Sequence, residues 1–281
     1  MAMVERSSVP RYGVKEQTAT VDRIDVACEE LRLVGFSIVD PGFSDDYKAH
    51  IAKCFDTVAQ TYFTSHGGRD ALRSIDEHNT IRGMLAYDHM FLELAKTPTI
   101  ISLCERLLGN TFILNQQNGV INPAVSDRYN QAYYHRDLPY QHFTTSRPLA
   151  INALYCVDAF TVENGATRVV PGSHKQEAFP SDSAVHGLET VALARAGCFI
   201  VLDCMTFHCG GRNVTLCDRR AINHVYTLPF IKQQIYLKSM VEDSGRLSPA
   251  DRQLLDLDNQ PAADAAGYLE TRRARLLRNP I

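Results

Sequence analysis

The chain has 281 residues, 29 basic against 32 acidic side chains and a hydrophobic fraction of 45%. This is enough for one sizeable core, and it excludes intrinsic disorder over most of the length. A formal net charge of −3 excludes a surface built to coat nucleic acid.

Residues 1–20 are polar and unpatterned, so they read as a loose arm with no signal peptide. The most apolar stretch, residues 198–202, is far short of the roughly 20 residues a membrane-spanning helix needs. Eight cysteines, at 28, 54, 104, 156, 198, 204, 209 and 217, are scattered singly. They read as reduced thiols of a cytoplasmic protein, mostly small buried hydrophobes. Apolar residues recur at helical spacing over 21–33 (Ile24, Ala27, Cys28, Leu31), and Gly35 stops the helix. Residues 36–39 form a short strand closed by Asp40-Pro41-Gly42, and Ser44 caps a second helix reaching about Tyr62. Residues 66–79 are polar, hold Gly67-Gly68 and read as a loop. A helical pattern returns over 90–108, interrupted at Pro98 and ended by Gly109.

Beyond Thr111 the character changes. Strands are expected at 112–121, 133–137, 150–157, 167–170, 189–193, 198–203 and 220–228, separated by turn clusters such as Glu163-Asn164-Gly165. Many short strands favour a sandwich or barrel over a doubly wound α/β sheet. Ser248 caps a helical segment through Leu257, and residues 263–277 form a last helix. The organisation is one mainly β domain over 1–281: helical wrapping at 21–110, a β core at 111–230 and C-terminal helices at 245–281.

The chemistry starts at His135-Arg136-Asp137. On a strand, residues i and i+2 share a face, so His135 and Asp137 can reach one metal while Arg136 points away. An imidazole and a carboxylate suit Fe(II), although such a pair arises by chance about once in a chain of this composition. His208, in Phe207-His208-Cys209-Gly210-Gly211, would complete two histidines and one carboxylate with open positions for a co-substrate and dioxygen. Arg219 heads a strand, and a guanidinium there suits one end of a dicarboxylate. Arg220 competes for that role, since alternation turns only one of the two inward.

The run Glu163-Asn164-Gly165-Ala166-Thr167-Arg168-Val169-Val170-Pro171-Gly172-Ser173-His174-Lys175 closely resembles the signature of the phytanoyl-CoA dioxygenase family of non-haem iron, 2-oxoglutarate-dependent oxygenases. His135, Asp137, His208 and Arg219 fall in the order and spacing of that family. The segment Leu33-Val34-Gly35-Phe36-Ser37-Ile38-Val39 is similar to its opening, and Leu107-Leu108-Gly109 to the end of its helical section. The likeness spans roughly residues 25–230. It implies a double-stranded β-helix (jelly-roll, cupin-like) core with iron at its mouth, His135, Asp137 and His208 as ligands, and Arg219 on the 5-carboxylate of 2-oxoglutarate. Thr167, with Gln116 or Asn118, is implied as a further contact to that co-substrate. Related halogenases leave the carboxylate position empty, so Asp137 marks an oxygenase.

Tyr134, His142 and Arg82 are candidates for the substrate side, with packing or surface roles as the alternatives. His174 reads as structural and His224 as a packing residue. Cys204, Cys209 and Cys217 raise a zinc cage, but their spacing lacks a compact second pair. The expected activity is oxidation of a small, fairly apolar metabolite, such as a secondary-metabolite intermediate, with release of succinate and CO2. The rival is a silent jelly-roll binding or sensing protein. Expected partners are the small molecule and O2, with no nucleic acid and no membrane.

Overall fold

The computed structural model describes residues 9–125, 129–138, 143–241, 247–258 and 261–278. The first helix, α1 (Arg23–Leu33), opens with a reciprocal capping box. Asp22 Oδ1 accepts from the Asp25 amide at 2.8 Å, and the Asp25 carboxylate accepts from the Asp22 amide at 3.3 Å. Such caps are worth about 1 kcal/mol because they occupy amides that have no partner within the helix. Gly35, at φ +86°, turns the chain into β1 (Phe36–Val39). A Cβ there would lie 2.3 Å from Thr206 Oγ1, so this stop signal is also a point of close packing. Ser44 caps α2 (Asp45–Ser65) by accepting from the Tyr47 amide.

The polar stretch that follows is not all loop. Within it α3 (Gly68–Arg73) forms because Gly67, at φ +81°, resets the chain direction and Leu72 finds a buried place. The strand β2 (Thr80–Arg82) is too short to carry an alternation signal. Two helices, α4 (Met90–Ala95) and α5 (Pro98–Leu108), realise the interrupted pattern, with Pro98 in the first turn where its missing amide is not needed.

Then come β3 (Ile113–Asn122), β4 (Ala150–Cys156), β5 (Thr167–Val169), α6 (Asp182–Leu188), β6 (Thr190–Val191), β7 (Phe199–Asp203), β8 (His208–Gly210) and β9 (Arg219–Thr227). The helices α7 (Leu237–Met240), α8 (Pro249–Leu254) and α9 (Ala265–Arg278) follow, α8 opening with a second capping box between Ser248 and Asp251. No helix among the described residues is long and apolar enough to cross a membrane.

The strands make two antiparallel sheets, in the orders β1-β7-β4-β9-β3-β2 and β6-β5-β8. They form the two walls of a double-stranded β-helix, the fold class expected from the sequence. The stretch 133–137 is not the strand it was expected to be. Its one pairing there is the bridge of His135 to His208. Arg136 explains why: it is buried and donates to the carbonyls of Met205 at 2.7 Å, Ser173 and Glu177 at 3.1 Å, and Gln176. These bonds tie the segment to loop carbonyls rather than to a strand neighbour.

The outer face of the larger sheet holds the main core, with Leu31, Ile51, Phe55, Phe91, Leu103, Phe199, Ile222 and Tyr226 fully buried against the helices. Between the sheets a smaller cluster packs Phe160, Val169, Ile200, Leu202 and Ala221. Alternation along β9 therefore turns Arg219, Ala221 and Asn223 inward and Arg220, Ile222 and His224 outward.

Candidate metal centre

A cavity of about 50 Å³ lies between the sheets, with His135, Asp137 and His208 in its wall. Each offers one ligand atom, and these atoms all lie within 4.8 Å of one another. The two imidazole centroids are 4.5 Å apart, and His208 Nε2 is 3.7 Å from Asp137 Oδ1. Hydrogen bonding fixes both tautomers. His135 Nδ1 is 2.8 Å from the Tyr133 carbonyl oxygen, and His208 Nδ1 is 3.0 Å from that of Thr206. A carbonyl only accepts, so each Nδ1 carries a proton and Nε2 is the nitrogen left to ligate a metal. Burial, and then the neighbouring His208 ring, hold His135 below the ordinary imidazole value and so neutral.

Asp137 is held from two sides: its amide donates to the Cys204 carbonyl at 3.1 Å, and its Oδ2 accepts from Asn152 Nδ2 at 3.0 Å. Two imidazoles and a carboxylate on one side of an open cavity fit a divalent iron that keeps free positions. Among the described residues no other trio of this kind forms. The zinc alternative finds no support there, with Cys204 and Cys209 buried and Cys217 exposed.

Arg219 lines the same cavity. It is 3% exposed, and its guanidinium sits 3.8 Å above the Phe160 ring. Tyr129 bonds to it, yet its Nε and Nη1 have no partner. Burial pushes the group below its ordinary value. An unmatched buried cation is costly, so this corner fits a carboxylate that supplies the missing charge and acceptors. Arg220 faces the other way, held by Asp158 at 3.0 and 2.7 Å and by Asp56 at 2.7 Å. Thr167, buried on β5, also lines the cavity.

Other sequence candidates fall elsewhere. Gln116 does not reach the cavity wall. A bulge between Leu114 and Gln116 precedes it, its side chain bonds to Asn118, and Val120 is the β3 residue in the wall. Tyr134 is turned away by the same alternation that turns His135 inward. Its hydroxyl donates to the Glu189 carboxylate, and it lines an outer groove of about 490 Å³ with Arg168 and Cys209. Arg82 is engaged by Glu77 at 2.9 and 2.6 Å and by Gln234 Oε1 at 3.1 Å, away from the cavity wall. His142 lies outside the described residues. His174 is buried against the Arg32 carbonyl, and His224 is fully buried with Nδ1 3.0 Å from the Ala153 carbonyl. Asn223 and Ala221 share the Arg219 face, as alternation places them, whereas sequence reasoning missed Asn152 and Gln131 in the cavity wall. The available signal was an asparagine inside the apolar run Ala150-Ile151-Asn152-Ala153-Leu154, since an unpaired polar residue rarely occupies a strand core.

The phytanoyl-CoA dioxygenase (PhyH) family model matches residues 31–221. An uncharacterized protein of Mycobacterium tuberculosis, Rv1501, is 29% identical over 272 residues, which is 94% of this chain and 96% of the relative. The iron/alpha-ketoglutarate-dependent dioxygenase ausO of Aspergillus calidoustus is 31% identical over 150 residues, 48% of this chain and 47% of its own. The crystal structure of EctD from S. alaskensis with 2-oxoglutarate and 5-hydroxyectoine superposes with a TM-score of 0.59 at 21% identity. That match covers 71% of this chain and 74% of EctD, and it shows the fold. With the family model spanning most of the chain and an iron-type donor set at the heart of that fold, the chain belongs to the phytanoyl-CoA dioxygenase family and is a non-haem iron, 2-oxoglutarate-dependent dioxygenase.

Proposed function

We propose that this dioxygenase hydroxylates an unactivated C–H bond of a small metabolite while 2-oxoglutarate is converted to succinate and CO2. The observation that carries the reading is one cavity holding both the His135, Asp137 and His208 trio and a buried Arg219 with unused donors. In this reading His135, Asp137 and His208 hold the iron, and Arg219 with Thr167 receives the far carboxylate of 2-oxoglutarate. Bound iron and 2-oxoglutarate together supply the oxidising power for C–H cleavage. The chain's own residues bind and orient. Phe160 fixes the guanidinium plane, Leu154, Leu202 and Ala221 exclude water, and Asn152 steadies the Asp137 carboxylate.

Tyrosines beside the metal pair would favour a fairly apolar substrate only if they faced the cavity. Tyr133 is 74% exposed, Tyr134 faces the outer groove, and Asn152, Asn223 and Gln131 are in the metal-side wall. We therefore read the substrate as a metabolite, of secondary metabolism or otherwise, with hydrogen-bonding groups beside the reacting carbon. The 5-hydroxyectoine in the EctD structure is a molecule of that kind. A reducing cytoplasm suits both Fe(II) and eight unbridged cysteines.

The test is succinate formation from 2-oxoglutarate after anaerobic loading with Fe(II) and exposure to air. Wild-type protein is expected to form succinate even without its own substrate, and His135→Ala to fall to background. Iron-dependent succinate absent across a broad panel of small molecules would favour the binding or sensing protein instead.

A further inference from the structure

One more polar atom in the cavity wall has no partner. Asn152, third residue of β4, is 3% exposed and lies on the inward face with Leu154. Its Nδ2 donates to Asp137 Oδ2 at 3.0 Å, and its Oδ1 is buried without a hydrogen bond. The orientation of this amide follows from the inventory of donors and acceptors. Turned over, Oδ1 would face a carboxylate oxygen, two acceptors at hydrogen-bond distance. The nitrogen must therefore point at Asp137, and the oxygen is left with no protein donor. A buried orphan acceptor is costly, and an apolar side chain of similar volume would not carry one. The rest of β4's inward face does use apolar or small residues. Something other than fold stability keeps an amide here.

The two oxygens of Asp137 have different surroundings. Oδ1 lies toward His208, 3.7 Å from Nε2, while Oδ2 is the one Asn152 holds. We propose that Asn152 is a positioning residue for the metal ligand: it pins Oδ2, so that Asp137 presents Oδ1 alone toward the two histidines. The orphaned Oδ1 of the amide is the energetic consequence of that grip. This rests on the metal-centre reading above and deepens it, since the geometry of the carboxylate then depends on a neighbouring strand rather than on the 133–137 segment alone.

Asn152→Leu tests the role, with Asn152→Ala as the second variant because it vacates space instead of filling it. Two quantities are read: Mn(II) affinity by calorimetric titration, Mn(II) standing in as an air-stable probe, and the melting temperature of the metal-free protein. The expected result is a Kd for Mn(II) raised about 10- to 100-fold, the range typical of a lost ligand-orienting hydrogen bond. The metal-free Asn152→Leu protein exchanges one orphan acceptor, Asn152 Oδ1, for another, Asp137 Oδ2, and is expected to melt close to wild type. A purely structural asparagine gives the reverse, lower metal-free stability with Mn(II) affinity unchanged. Affinity kept within tenfold of wild type in both variants overturns the proposal, as does failure of both to fold or loss of metal-free stability in Asn152→Leu. Wild-type protein that binds Mn(II) no better than His135→Ala overturns the metal-centre reading itself.

Discussion

The two faces of the larger sheet treat neighbouring arginines in opposite ways. On the outward face Arg220 is neutralised by Asp158 and Asp56. On the inward face Arg219, one residue away, is buried over Phe160 with two nitrogens unpartnered and no carboxylate paired with it. Charge on the helix-covered side is balanced within the chain, as a stable fold requires. Charge on the cavity side is left for something that is not part of the chain. A sheet under selection for stability alone would not retain a buried guanidinium in that state, so the imbalance marks the face on which the chemistry is done.

The largest expected effect separates these two arginines. Arg219→Leu should raise the KM for 2-oxoglutarate about 30- to 1,000-fold, corresponding to about 2–4 kcal/mol for truncating one partner of a buried charge pair. Its melting temperature should not fall, because the substitution removes an uncompensated buried cation. Arg220→Leu should leave that KM within about twofold and lower stability by about 1 kcal/mol, a modest amount because the pair is partly exposed to solvent. Succinate formation against 2-oxoglutarate concentration, with calorimetry on the same proteins, measures both. Equal KM changes in the two variants would erase the contrast between the faces.

Much of this was legible beforehand, for reasons that name where legibility ends. Local signals worked: Asp22, Ser44 and Ser248 begin their helices because capping is settled within four residues. Parity worked on β9, where alternation alone separates Arg219 from Arg220. Nearness in sequence failed for Tyr134, which alternation already sends outward, to a glutamate 55 positions along the chain. It failed for Arg82, whose ionic partner Glu77 lies on the preceding loop. Gln116 keeps the inward parity of Val120, but it stands opposite Val225, farther along β3, where its side chain meets Asn118 instead of the cavity wall, a distance that parity alone does not give. Residues 133–137 left the sheet because Arg136 satisfies carbonyls some 40 to 70 positions away, a long-range demand invisible to strand periodicity.

A second prediction probes two titrating groups on the outward face. His224 is fully buried among Phe199 and Tyr226, and burial pushes it down to about 4 from 6.5. The unfolded chain then binds more protons between those values, so this group removes stability as pH falls from 6.5 towards 4. Asp203, at the end of β7, is pushed up to about 6 from 3.8, again by burial. Here the folded chain binds more protons, and stability is lost as pH rises from 3.8 through 6. Each shift corresponds to about 3 kcal/mol, with opposite slopes over the same interval. Relative to wild type, Asp203→Asn should therefore gain stability towards neutral pH, and His224→Gln should gain it towards pH 4. Urea midpoints at pH 4, 5, 6 and 7 read both slopes. Slopes of the same sign would mean that the outward face is not balanced in this way.

The smallest effect compares two tyrosines across one wall. Tyr129 borders both the metal cavity and the outer groove, with its hydroxyl bonded to Arg219, whereas Tyr134 lines only the groove and donates to Glu189. The Tyr134 phenol is pushed above its usual value by burial and by the Glu189 carboxylate, so it remains a donor at any ordinary pH. Removing either hydroxyl forfeits one hydrogen bond, about 1 kcal/mol, but the loss should be read in different places. Tyr134→Phe should lower stability and leave both Mn(II) affinity and the KM for 2-oxoglutarate unchanged. Tyr129→Phe should raise that KM about fivefold, because the hydroxyl helps hold the guanidinium that receives the co-substrate. If Tyr134→Phe moved the KM as far as Tyr129→Phe, the groove and the cavity would be one site, and the inward face could no longer be treated as chemically separate from the rest of the barrel.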